Sequence, residues 1–565
     1  MLGATIRYLA SSANADSMDS FRIFAGMVFA ISVFLLVDAW VRDHQKSAPA
    51  VAPATPAQRD TAPPAPTGAL GQVAPALPHA ADPKLAQGER VHVATDVVVA
   101  EIDTMGADLR RLELTKYRDT FDQKQNFILL QQSDQNVYIA QSGLIGEKLP
   151  NHTTLFRAAE KSYELLPSAD TITVRLKTAA DNGIQLVKTY VFHRGSYVID
   201  VVFETTNAGA EAIEPFAYFQ LVRDTKPPAG DSKMVPVFNG VEIYTEKDKL
   251  HKASFDDIVK NKVAYPKSAS DGWIAVVQHY FLGSWLPKAG EPREYFVRTL
   301  DNGLFAAGVI LPVGRVEPGA TNVVTSRLYA GPQEQALLKT LAPGLELTVD
   351  YGWLRPLAVP LFWFLNEIHE LVKNWGVAII LLTVIIKLIF YPLSAASYKS
   401  MAKMKVLAPK LQRLKERYGD DRQRMHQAMV ELYKTEKINP LGGCLPIVVQ
   451  IPVFIALYWT LLLSVELRQA PFVFWIHDLS RPDPYYILPV LMGATMFIQT
   501  WLNPTPPDPM QAKLMKIMPI AFSVFFFFFP SGLVLYWLVN NVLSIAQQWR
   551  ITHVLERAKT AHDGN

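Results

Sequence analysis

The sequence predicts a polytopic α-helical membrane protein of six spans, five of them forming a C-terminal core, joined to one all-β domain outside the lipid. Three observations predict this fold class. Five apolar runs of span length crowd the region after residue 374, and a sixth lies near the amino terminus. Between them, over 89–345, the apolar period drops to two, as in half-buried strands. A mean hydropathy of +0.11 over 565 residues is too high for an ordinary soluble chain and too low for a bundle alone.

Composition also removes whole function classes. The single cysteine, Cys444, rules out an intrachain disulfide framework and a cysteine-cluster metal site. The 12 histidines form no HExxH pattern, and no nucleotide-binding glycine loop or nucleophile elbow occurs. No cofactor, metal, nucleotide or enzymatic step is expected.

Residues 1–20 read as a cytoplasmic amino terminus, and 21–41 as the first span, flanked by Arg22 and Arg42. A cleaved signal peptide ending at Ala48-Pro-Ala50 is the rival, but the run exceeds the roughly 7–15 residues of such a core. Residues 42–88, rich in Ala, Pro and Thr, read as an extended linker. The β domain follows. Val91–Val99, Thr171–Lys177, Leu186–Phe192 and Tyr197–Phe203 alternate, the last two joined by a turn at Arg194-Gly195-Ser196, and the whole reads as a sandwich. A short helix over 331–340 closes it. Tyr244, Trp273, Tyr280 and Trp285 are weighted toward its core, with a binding surface as the alternative.

Residues 355–373 are amphipathic: Leu357, Leu361, Phe364, Leu365 and Ile368 oppose Asn366, Glu367 and Glu370. An interfacial helix and a core helix of the β domain both fit, and its place before a span favours the first. The remaining spans are 375–393, 441–463, 485–501, 514–529 and 533–549. The segment 397–437 holds 11 Lys/Arg against 5 Asp/Glu, which assigns it to the cytoplasm. Parity then puts the β domain and the 464–484 loop outside, and 502–513, the 550–565 tail and the amino terminus inside. Within 397–437 two helices broken at Gly419-Asp420 form a hairpin, with Met401 and Met404 on one apolar stripe and Met425 and Met429 on the other. These methionines either pack only on each other or greet apolar client segments. Ribosomal RNA binding by the basic face is a weaker reading.

One span carries a charge. Lys387 lies about two thirds along 375–393, where a lipid-facing ammonium costs roughly 2.5–3.5 kcal/mol or more. Thr383 shares its face at i−4. In 533–549, Trp537, Asn541, Ser544 and Gln548 align, bordered by Asn540 and Gln547, while Gln450 stands in 441–463 between Pro446 and Pro452. Buried polar groups in lipid need partners, so these faces turn toward each other or toward water. A hydrophilic cavity open to the cytoplasm competes with a dry, hydrogen-bonded bundle and with a lysine snorkelling to the headgroups. Against the dry bundle, no acidic residue within the five spans offers a deep partner, Glu466 lying at the outer end.

Asn374-Trp-Gly376, Tyr391-Pro-Leu393, Asn439-Pro-Leu-Gly-Gly-Cys-Leu-Pro446, Gln450-Ile-Pro452, Trp475-Ile-His-Asp-Leu479 and Phe529-Pro-Ser-Gly-Leu-Val-Leu-Tyr536 together resemble the Oxa-type membrane protein insertases, in their bacterial YidC branch. The β domain matches more loosely, at Gly106-Ala-Asp-Leu-Arg110 and Gly272-Trp-Ile-Ala-Val-Val-Gln-His-Tyr-Phe281. The resemblance implies a periplasmic β-supersandwich, an inner-membrane location and a hydrophilic inner-leaflet groove with an important basic residue. Lys387 stands there in place of the commoner arginine, and Trp537 where relatives often have tyrosine.

The expected function is insertion of membrane proteins. Client tails enter a groove made by Thr383, Lys387, Gln450, Trp537, Asn541 and Ser544, and apolar segments slide along Phe454, Phe525 and Phe528. Nascent membrane proteins and lipid are the expected partners, and the resemblance adds the Sec translocon and the ribosome. A solute transporter using Lys387 as its coupling charge is the alternative, although no inverted repeat supports it. A β-domain enzyme with a membrane anchor is a third class, for which five polar-faced spans are excessive.

Overall fold

The computed structural model describes residues 86–563 apart from 134–135, 147, 181–182, 227, 229–236, 301–302, 419–420, 437–444 and 504–508. The first span and most of the linker, Cys444 and the break at Gly419-Asp420 lie outside the described residues. The chain divides into two units, one containing 46–350 and the other 351–462 and 466–565.

The β unit is a sandwich of two sheets. Its ten-stranded sheet runs from Ser268–Ala269 at one edge, through Phe216–Arg223 and Val137–Ile145, to Ser162–Glu164 at the other. The nine-stranded sheet runs from Lys249–Ser254 to Phe156–Ala158 and is antiparallel throughout. Alternation explains the edge-proximal strands. In Thr171–Thr178, Val174 and Leu176 are buried while Thr173, Arg175 and Lys177 are exposed. The expected hairpin around Arg194-Gly195-Ser196 is present, with Ile199 opposite Phe192 and Gly195 at φ 67.

Two expectations change. Val91–Val99 is not one strand: Arg90–Ala94 and Val98–Asp103 pair with each other, and Thr95 turns the chain by accepting from Val97 and Val98 N–H. Gly331 and Pro332 finish the strand Thr321–Pro332, and the closing helix is Gln335–Leu341. Trp273, Trp285 and Tyr244 are core residues. Tyr244 stacks on Trp273 at 5.7 Å, and the Trp273 indole donates to the Pro343 carbonyl. Tyr280 is half-buried, stacked on His279.

The helical unit begins with α1 (Arg355–Val372) and α2 (Trp375–Ile389). Lys373 ends α1 at φ 53, and the Asn374 side chain accepts from Val377 N–H to start α2. His369 and Trp375 stack across this corner at 3.9 Å. Then come α3 (Tyr391–Tyr418), α4 (Arg422–Thr435), α5 (Leu445–Leu463), α6 (Ile487–Leu502), α7 (Pro509–Phe526) and α8 (Ser531–Asp563). No single described helix is long and apolar enough to cross a membrane by itself. One pair has the length and the apolar composition together: α2 and the first part of α3, bent by 67° at their junction. Shorter apolar helices are Val449–Leu463, Ile487–Leu502 and Met515–Phe526. Three expected boundaries therefore move. Helix starts again at Tyr391 rather than after residue 396, because Pro392 sits in the first turn, where its missing N–H costs nothing. The run expected over 514–529 is helical only to Phe526. The run expected over 533–549 continues unbroken to Asp563, since the backbone ladder does not stop where side chains turn polar.

Caps and loop carbonyls satisfy the helix ends. Asp483, 1% exposed, accepts from Leu488 N–H, Tyr485 N–H and the Trp475 indole ahead of α6. Ser531 N–H donates to the Arg481 carbonyl, and Gly532 N–H to that of Leu479, at the start of α8. The core of this unit joins Leu365, Ile379, Leu382 and Ile386 to Leu457, Leu461, Met492, Phe526 and Val534.

Candidate functional site

Lys387 projects from the last turn of α2 toward α8 and is 6% exposed. Its Nζ donates to Ser544 Oγ at 2.7 Å, and among the described residues no carboxylate pairs with it. Ser544, 4% exposed, donates its own proton to the Asn540 carbonyl one turn earlier, at 2.7 Å. The Asn540 side-chain oxygen accepts from Gln450 Nε2 at 3.2 Å, which ties α5 to α8. Thr383, 2% exposed, donates to the Ile379 carbonyl at 2.6 Å and so presents only lone pairs outward. The buried ammonium thus meets one hydroxyl oxygen, that of Ser544, whose own proton goes to a carbonyl, while Thr383 is engaged within its own helix.

An ammonium has three donors, and Ser544 takes one. The other two require water or an incoming acceptor, because an unpaired buried charge is strongly disfavoured. This arrangement suits the transient reception of polar groups, above all carboxylates.

The residues anticipated for the groove do not all join this set. Lys387, Ser544 and Gln450 do, the last through Asn540. Trp537 instead enters an aromatic cluster, stacked on Phe454 at 4.5 Å and edge-on to Phe526 at 4.4 Å. Asn541 is half-buried and makes no side-chain hydrogen bond among the described residues. Gln548 donates to Asn503 Oδ1 at 3.0 Å, one helix over. The sequence places Asn540 only at the border of the stripe, yet its two oxygens organise the cluster. The available signal was its i−4 spacing from Ser544.

Of the apolar surface residues, Phe525 is 44% and Phe528 54% exposed, while Phe526 and Phe529 turn inward. Phe454 is half-buried against Trp537. Met401, Met404, Met425 and Met429 are all half-buried on α3 and α4, which pack on each other. Lys410 pairs with Glu436 at 2.6 Å, closing the hairpin.

Two family models match the chain: the YidC periplasmic domain over residues 90–364 and the 60Kd inner membrane protein over 367–559. A membrane protein insertase YidC of Methylobacillus flagellatus is 53% identical over 558 residues, covering 97% of this chain and 100% of the relative. Another from Nitrosospira multiformis is 53% identical, covering 95% of this chain and 98% of that one. Among solved structures, an active YidC insertase with its first transmembrane domain resolved matches 82% of this chain at 18% identity and a TM-score of 0.37. The insertase names give the solute-transporter alternative no support.

Proposed function

Because the chain belongs to the YidC family of membrane protein insertases, we propose that its helical unit receives the polar tail of a client beside Lys387 and releases the client's apolar segment into lipid. The observation that carries this reading is a buried ammonium with one hydroxyl partner and no carboxylate among the described residues. A client carboxylate supplies the missing acceptor while it is inside the bundle, which lowers its desolvation cost. The apolar segment moves over the exposed rings of Phe525 and Phe528. Transfer to lipid then drives release, at roughly 0.8 kcal/mol per buried CH2. No chemical step and no nucleotide enters.

Short helices support the route. The apolar part of α7, Met515–Phe526, makes about 18 Å of helix against a hydrocarbon core of roughly 30 Å. A bilayer fitted to such a helix thins locally, and the polar crossing shortens. In this reading the chain has six spans, with both termini and the α3–α4 hairpin in the cytoplasm and the β domain in the periplasm of a bacterial inner membrane. The basic hairpin supports that orientation. The half-buried methionine seam then meets clients first, with the ribosome and the Sec translocon as the partners the family resemblance implies.

Reconstituted vesicles test the reading. Lys387→Glu is expected to depress insertion of a small client with an acidic tail, whereas Lys387→Arg retains it. Equal insertion by Lys387→Glu and the unmodified protein would remove the charge from the mechanism.

A further inference from the structure

The Lys387 ammonium and the Ser544 hydroxyl come from different helices and are both more than nine-tenths buried. Ser544 has one proton, given to the Asn540 carbonyl, and the Tyr398 hydroxyl of α3 hydrogen-bonds the same side chain. Its oxygen is therefore an acceptor alone where it faces α2, and donation to a carbonyl strengthens that acceptor. A lysine stem is otherwise free to swing toward the headgroups, as its four methylenes allow. We propose that Ser544 is a positioning residue for Lys387: anchored by Asn540, it holds the ammonium inward, so that the remaining donors point where an acidic client tail arrives.

This rests on the groove-charge reading above and adds to it the element that aims the charge. The chemistry distinguishes Ser544 from a packing residue. A hydroxyl at this position with any small side chain preserves the aim, and a side chain of similar size without a good oxygen acceptor loses it. Threonine keeps the oxygen and the bond to the carbonyl four residues back. Alanine and cysteine do not supply an equivalent acceptor.

The experiment compares two clients that differ only in tail charge, one carrying aspartates and one neutral, inserted by the full-length protein in vesicles. The quantity read is the ratio of acidic to neutral insertion rates. Ser544→Ala and Ser544→Cys are expected to lower that ratio about tenfold, the size of one lost hydrogen bond to a charged group, and Ser544→Thr to restore it. A ratio unchanged in the alanine and cysteine variants, or equally lowered in the threonine variant, overturns the proposal. Lys387→Gln, measured in parallel, separates the two levels. If it lowers the ratio while Ser544→Ala does not, positioning fails and the groove charge stands. If Lys387→Gln leaves the ratio intact, the groove-charge reading fails and positioning with it.

Discussion

Phe454 of α5 stacks on Trp537 of α8, ring centroids 4.5 Å apart and planes 17° from parallel. The pair ties together two helices that also share the Gln450–Asn540 hydrogen bond. Offset aromatic pairs contribute about 0.5–1.5 kcal/mol beyond their buried area. A double-mutant cycle with Phe454→Leu and Trp537→Leu, read from unfolding of the detergent-solubilised protein, is expected to give a coupling energy in that range. Trp537→Tyr retains a ring and is expected to lie near the unmodified protein. A coupling of zero would mean the two rings stabilise the bundle independently.

The amide pair makes a separate prediction. Gln450→Leu leaves the Asn540 oxygen without its α5 partner, and Asn540→Leu does the reverse. Each single change is expected to cost about 0.6–1.7 kcal/mol, from the average to the largest value measured for hydrogen bonds between membrane helices. Combining them is expected to cost less than the sum, because no orphaned amide then remains. Additive losses would show that the bond contributes nothing specific.

In the β unit, Glu242 is fully buried, with Lys252 Nζ 3.3 Å away and itself closer, at 2.7 Å, to Asp350. Burial pushes the Glu242 carboxyl from its ordinary 4.5 up to about 7, Lys252 pulling it down and Asp350 adding to the rise. Between those two values the unfolded chain gives up this proton while the folded one keeps it, so stability falls as pH rises through the window. Glu242→Gln is expected to remove that slope and to stabilise the domain at pH above about 7 by roughly 1–3 kcal/mol. Hydrogen exchange of the Gly240–Thr245 amides in the full-length protein, corrected for intrinsic rates, reads it out. The same pH slope in both proteins would exonerate this carboxyl.

Gly272 sits at φ 87 just before the buried Trp273, and a Cβ there meets the Tyr244 carbonyl oxygen, a backbone atom that cannot swing aside. Gly272→Ala combines left-handed strain with this clash and is expected to destabilise the β unit by about 1–3 kcal/mol or more. Gly290, also at positive φ but with open space around its would-be Cβ, is the control, and alanine there is expected to cost about 1 kcal/mol, from strain alone. Thermal unfolding of both variants compares them, and equal costs would remove the clash from the argument.

Periodicity made the β domain legible where one face of a strand meets water, as in Thr171–Thr178. It fails for Phe216–Arg223, in which all eight residues are buried and no alternation survives. Hydropathy found the apolar helices but not their joints. The run through Ile389, Phe390 and Tyr391 stays apolar across the 67° bend, because a bend is a backbone event. Helical spacing aligned Lys387 with Thr383, and Ser544 with Gln548. It puts Asn540 only at the border of the stripe, because half of its part is played by a main-chain carbonyl, a group every residue possesses.

The last helix runs from Ser531 to Asp563 as one piece of 33 residues, about 50 Å long. Ser544 is built into that rod, and nothing in the helix breaks between it and the far end. A pull or push applied to the carboxyl-terminal turns is therefore delivered to the oxygen that grips Lys387. A body docked on that end would sense the ammonium's engagement mechanically, as a hand on a lever feels the latch.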